Sequence, residues 1–188
     1  MSVSIMQLWL PILLGGMFCW FASALIHMLL KYHNADYQKL NNEEQVGDAL
    51  REGKVAPGFY HMPHCTDMKE MNDKGMQQKM INGPIAMISV FENGLPKMGK
   101  LLGQQLIYFI VACVLIAYVA TLSLAPSTDY MTVFRLVATI SFLTFGYALL
   151  PYSIWFGHPW AVSIRYLLDA LIYAAVVAGT FAWLWPVV

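Results

Sequence analysis

A chain of 188 residues that is 59% hydrophobic and only 12% charged falls well short of the roughly 25% charge typical of soluble domains. Its formal net charge is zero and no basic run occurs, which excludes a nucleic-acid-binding role. Nine of the eleven Lys and Arg and nine of the eleven Asp and Glu lie between Lys31 and Lys100, the distribution of a polar segment set between membrane spans.

Taken in chain order, the first apolar run covers residues 8–30, long enough to cross a hydrocarbon core of ~30 Å, which takes about 20 helical residues. Ala22-Ser23-Ala24 resembles a signal-peptidase site. No Lys or Arg precedes the run, however, and it continues past that site, so it reads as a membrane helix. Gly15, Cys19 and Ser23 form a ladder of small residues on one face, with His27 next on the same line. Such ladders let helices approach closely in lipid.

The polar insert, residues 31–100, carries signals of folded structure. "NNEEQVGDALREG" has Asn42 as N-cap, acids in the first turn and Gly53 as a stop, which predicts a short helix. "APGFYHMP" and "GPIAMISVFENG" read as strands that can pair. Between them, Met68, Met71, Met76 and Met80 fall within one half of a helical wheel. The insert is thus a small α+β unit, too small to stand comfortably alone. His33 and Asp36, in "HNADY", have the composition of an acid–base pair, and a solvated turn beside the membrane accounts for them equally well.

Three further spans are predicted at about 101–125, 131–156 and 160–187, and aromatic residues mark several ends: Trp9, Tyr32, Tyr130, Trp155, Trp160, Trp183 and Trp185. The expected fold class is a mainly α membrane protein of four transmembrane helices, with the α+β insert between helices 1 and 2. The expected division is a first helix in 1–30, the insert in 31–100 and a three-helix bundle in 101–188. Lys31, Lys97 and Lys100 all emerge at one end. The positive-inside rule then puts the insert in the cytoplasm and both termini outside.

The pattern "HNADYQKLNNEE…ALR…APGFYHMPHCTDMKEM…GPIAMISVFENGLPKMGK", followed by "DALIYAAVVAGTFAWLWP", resembles a family of small bacterial inner-membrane proteins of uncharacterised function. The resemblance implies four spans, a soluble insert after the first, and a bacterial source. It implies no activity, cofactor or site residue.

Chemistry-bearing residues are few. Arg165 and Asp169 share a helical face four residues apart, and Tyr173 continues that stripe. Asp169, nine residues past Trp160, lies about 14 Å into the membrane, where an aspartate costs roughly 2.5–3.5 kcal/mol. Arg165 and Asp169 are expected to pair, and Asp169 with His27 to be available for a proton or ion path. An adjacent face carries Ala170, Ala174, Ala178 and Ala182, a second small-residue ladder. In the insert, His61, Met62, His64, Cys65, Met68 and Met71 fall within eleven residues, a donor set suited to Cu(I), although Met62, Met68 and Met71 serve equally as apolar strand and helix positions. No other cofactor is indicated. No nucleophile elbow, Walker loop or H-E-x-x-H motif is present, so the expectation is a non-enzyme. The leading expectation for function is a scaffold, an accessory subunit or a self-assembling oligomer of the bacterial inner membrane. A proton- or ion-coupled channel or transporter component, and a Cu(I)-binding membrane protein, are the alternatives.

Overall fold

The computed structural model describes residues 2–187. Its contacts divide into two units, residues 1–38 with 97–188, and residues 39–96. The first contains four helical segments long and apolar enough to cross a membrane: Ile5–Leu30, Met98–Ser123, Tyr130–Trp155 and Trp160–Trp183.

The first segment is built on α1 (Trp9–Leu25), entered through a 3₁₀ turn at Ile5–Leu8 and left through a π-helical turn at Ile26–Leu30. The second is α5 (Met98–Ser123) and the fourth α8 (Trp160–Trp183), both continuous. The third is interrupted, which hydropathy alone did not anticipate. Helix α6 (Tyr130–Phe145) stops at Gly146, a 3₁₀ turn covers Tyr147–Leu149, and α7 (Leu150–Trp155) resumes with Pro151 in its first turn. Proline lacks the N–H that would continue the ladder across this point and is accommodated where a helix restarts.

Helix α8 packs on α6 and on α1, and α1 packs on α5. The centre holds Phe109, Cys113, Ile116, Val133, Val137, Val177 and Phe181, while Phe21, Leu25, Leu115, Leu122, Leu168 and Leu171 stay exposed. Large apolar side chains therefore face outward, and close approach is left to small ones. In lipid this is the expected arrangement, because hydrocarbon solvates leucine as well as a protein core does. A Cβ on Gly16 would stand 2.8 Å from Ile110 Cγ1, so α1 meets α5 there almost backbone to side-chain stem. At the chain's far end the Trp185 indole N–H donates to the Ala125 carbonyl at 2.9 Å, and the Ser127 N–H to that of Pro186 at 2.8 Å.

The second unit contains α2 (Glu43–Glu52), β1 (Gly58–Met62), α3 (Met68–Met71), α4 (Lys74–Asn82) and β2 (Ala86–Val90). The strands pair antiparallel, Gly58 opposite Val90 and Met62 opposite Ala86. Asn42 and Gly53 bound α2 as the sequence predicts. The methionine segment forms two helices, because Asp67 caps the first and Asp73 starts a second by accepting the Met76 N–H at 3.1 Å.

Candidate functional site

Residues 31–38, grouped by sequence with the insert, belong with the membrane unit, and this reassignment creates the site. After the π-helical turn the chain reverses at Lys31, a non-glycine residue held left-handed at φ 52°, and enters a 3₁₀ turn over Tyr32–Asp36. The turn lays Tyr32, His33 and Asp36 against the stripe of α8 that carries Arg165, Tyr166 and Asp169.

The expected Arg165–Asp169 pair is replaced by an exchange of partners across this junction. Arg165 Nη1 donates to Asp36 Oδ1, and the Tyr32 hydroxyl donates to Asp169 Oδ1. His33 stands between the carboxylates, with Nδ1 2.6 Å from Asp36 Oδ2 and Nε2 2.8 Å from Asp169 Oδ2. One-turn spacing put Arg165 and Asp169 on a common face, but the better donors and acceptors came from the turn. Asp169 is only 2% exposed, and His33 is buried. Both His33 bonds form together only when the ring carries two protons or a carboxyl keeps one. In either arrangement the charges on Arg165, His33, Asp36 and Asp169 sum to zero, so the buried cluster carries no net charge.

Burial pushes the Asp36 carboxyl up, yet hydrogen bonds from His33 and Arg165 outweigh it and hold the group below the ordinary carboxylate value. Burial, and then the bonded Asp169 carboxylate, push the Tyr32 hydroxyl well above the ordinary phenol value, so it remains a donor.

His27 completes the cluster from the π-helical turn. Its ring lies parallel to His33, with centroids 4.7 Å apart and planes 3° apart, and Tyr166 sits on His33 at 4.9 Å. His27 Nδ1 lies 3.0 Å from the Ser23 carbonyl, which fixes Nδ1 as the N–H and leaves Nε2 free as an acceptor. Among the described residues, the metal-competent group of three or more His, Cys, Asp or Glu donors is His27, His33 and Asp169, with one atom from each within 4.8 Å of the others.

Of this cluster, His27, Tyr166 and Asp169 border a half-open cavity of about 460 Å³. Its walls come from all four spans, and Trp20, Leu102, Phe109 and Phe145 supply apolar surface. Ser23, His27, Gln105, Tyr108, Asp169 and Tyr173 supply the polar atoms. Tyr173 is buried one turn beyond Asp169, edge-on to Phe109 at 5.3 Å, with Cys19 Sγ donating to its carbonyl at 3.6 Å. The Trp20 indole N–H donates to the Leu102 carbonyl at 3.0 Å and pins that wall.

The small-residue ladders are used inside the bundle. Ala170, Ala174, Ala178 and Ala182 are buried, as are Gly15 and Cys19, while Ser23 is half-buried. A Cβ on Gly15 would stand 3.3 Å from Cys113 Sγ, and one on Gly146 would stand 2.7 Å from Ala170 Cβ.

In the insert, His61 and Met62 end β1, His64 and Cys65 follow in a loop, and Met68 and Met71 bound α3. His61 Nδ1 bonds the Pro63 carbonyl at 2.8 Å, and Cys65 Sγ donates to the Asp67 carbonyl at 3.2 Å. His61, His64 and Cys65 are not part of a converging group of three His, Cys, Asp or Glu donors among the described residues. Sequence reasoning missed the central role of His33 and Asp36, and Tyr32 was seen only as a boundary aromatic. The available signal was their place within six residues of the end of the first span, on the membrane side where Arg165 enters the fourth.

Comparison with protein-family models, with curated proteins and with solved structures gave no match.

Proposed function

We propose that this chain is a membrane-resident binding protein for a bilayer-soluble molecule with a polar, hydrogen-bonding head. The observation that carries the reading is the juxtaposition of the cavity with the buried cluster. A space of about 460 Å³ lies within the usual 300–1,000 Å³ of small-molecule sites, which are mostly apolar with a few convergent polar groups. Here the apolar walls suit a hydrophobic body, while His27, Asp169 and Gln105 offer both donors and acceptors to a head group. A hydrocarbon chain alone would gain nothing from them. Aromatic side chains on several walls, Trp20, Tyr108, Phe109 and Tyr173 among them, favour a flat head over a bulky one.

The transport reading draws on the same Asp169 and His27. Beyond Tyr173, however, α8 carries no titratable side chain that would continue a path from Asp169 across the membrane. The scaffold reading drew on small-residue faces that this bundle uses within the chain. Lys31 follows the first span, Lys97 precedes the second and Lys100 lies in its first turn, all on the insert's side, which supports a cytoplasmic insert and outward termini in a bacterial inner membrane.

Native mass spectrometry of the gently extracted full chain tests the reading. The expected spectrum shows one lipid-soluble molecule retained per chain. Ala24→Phe, which places a ring where Ala24 lines the cavity, removes that adduct while the helical circular-dichroism spectrum is preserved. A bare chain, or an adduct that survives in A24F, would overturn it.

A further inference from the structure

We propose that His27, His33 and Asp169 bind one divalent transition-metal ion at the margin of this cavity. The argument rests first on convergence, since one donor atom from each lies within 4.8 Å of the others. It rests more heavily on the way each candidate ligand is already oriented by a further partner. His27 Nδ1–H is held by the Ser23 carbonyl at 3.0 Å. His33 Nδ1 is held by Asp36 at 2.6 Å, and Asp36 is in turn held by Arg165. Asp169 Oδ1 accepts from Tyr32. The atoms left to meet an ion are two imidazole Nε2 atoms and Asp169 Oδ2. A ligating histidine usually donates its other N–H to a carbonyl or carboxylate, which fixes its tautomer and raises its basicity. Both forms of that support are present here, one on each ring.

The donor set selects the ion. Two imidazoles and one carboxylate suit Zn(II), Fe(II), Mn(II) or Co(II) better than Cu(I), which wants sulfur, or Ca(II) and Mg(II), which want oxygen. Three protein ligands leave coordination positions open. Adjacent donors about 2.1 Å from a metal stand about 3 Å apart. His33 Nε2 and Asp169 Oδ2 already meet that at 2.8 Å. His27 must close the remaining gap and tilt out of its parallel stack on His33, because an imidazole lone pair lies in its own ring plane. It is the exposed member of the group, carried on a π-helical turn, an element often found at functional sites. As the ion binds, the metal–Nε2 bond at His33 forms and the proton shared with Asp169 Oδ2 leaves to solvent. The ion, Arg165 and the two carboxylates then sum to one positive charge, which an anionic oxygen at an open position would neutralise.

This inference goes beyond the binding reading and is tested apart from it, because ion uptake does not require an open cavity. Tag-free full-length protein in detergent is stripped with chelator and then dialysed to equilibrium against Co(II) or Zn(II), with elemental analysis and a thermal melt at each concentration. The expected result is one equivalent bound at micromolar metal, a melting temperature that rises with metal, and the same uptake in A24F and in the insert variant His64→Ala. His27→Gln, an exposed position whose metal-free melt stays at the wild-type value, weakens uptake at least tenfold. Asp36→Asn weakens it by about 10–100-fold, the range for lost outer-shell support. Absence of stoichiometric uptake and of any thermal shift in the wild-type chain would sink the proposal, as would H27Q binding metal like the wild type.

Discussion

Arg165 gives the sharpest test of how charge is shared in this bundle. The perturbation is a set of substitutions, Arg165→Leu, Asp36→Asn and Asp169→Asn, made singly and in pairs. Arg165 donates to Asp36, with its side chain 28% exposed and that of Asp36 only 3% exposed. Removing Arg165 does not strand Asp36, because His33 still holds Oδ2 at 2.6 Å. The loss therefore lies below the roughly 3–5 kcal/mol of a buried charge left without a mate. One charge-assisted hydrogen bond is worth about 1.5–3 kcal/mol, and the partial exposure of Arg165 draws the figure to the lower end, about 1.5 kcal/mol. Asp169→Asn weakens two bonds at once, from Tyr32 and His33, and is expected to cost more, about 2–4 kcal/mol.

The assay is reversible unfolding in mixed micelles, followed by far-UV circular dichroism as a denaturing detergent is titrated. Residues in one network couple by about 0.5–3 kcal/mol in double-mutant cycles. The geometry ranks the couplings: Arg165 with Asp36 exceeds Arg165 with Asp169, which is linked to it only through His33 and Asp36. The reverse order would refute the exchange of partners and restore the simple one-turn ion pair.

Three further outcomes follow from single positions. Ser141 Oγ is buried without a hydrogen-bond partner, so Ser141→Ala should stabilise by about 1 kcal/mol in the same assay, and a loss would mean that the hydroxyl has a mate. Gly146→Ala places a Cβ 2.7 Å from Ala170 Cβ and 3.2 Å from Leu167 Cδ2, where carbon atoms prefer about 3.5–4.0 Å. It should cost about 1–3 kcal/mol, while Gly103→Ala, with nothing within 4 Å, should be neutral or slightly stabilising, and equal effects would remove the packing argument. Asp129 caps α6, and hydrogen bonds from Thr132 hold its carboxyl below the ordinary value. That contribution is present above the unfolded-state value and lost as pH falls through the folded one, so the difference in melting temperature between D129A and wild type should shrink on acidification. A constant gap would contradict it.

The spans were legible because length and hydropathy are properties of whole segments, and four runs of more than twenty apolar residues admit little else. The interruption at Gly146 was not, since a window average is indifferent to where the backbone gives up one hydrogen bond. Pro151 was visible as a breaker, but the break itself begins five residues earlier, where only Gly allows α6 to touch Ala170. The split of the methionine helix was missed for a related reason. Helical periodicity places Met68, Met71, Met76 and Met80 together, and only the capping preference of Asp73 argues for a fresh start between them.

The cluster was half legible, and the missing half bears on what it is for. Residues four apart on α8 had to share a face, so Arg165 and Asp169 were visible. Their partners depended on Lys31 adopting a left-handed backbone, which no residue preference announces. If the cluster served only to fasten the turn to α8, then Arg165, Asp36, His33, Asp169 and Tyr32 would complete it, since they satisfy one another. His27 adds no hydrogen bond to that set. Its single bond goes back to Ser23 in its own helix, yet its ring lies flat against His33 with Nε2 unused. A second imidazole, oriented by a backbone carbonyl and set beside a carboxylate-bound first one, contributes little to fastening and much to ligation. Histidine 27 is therefore the residue on which the two explanations part. Replacing it should leave the metal-free fold unmoved if it is a ligand, and should loosen the bundle if it is a wedge.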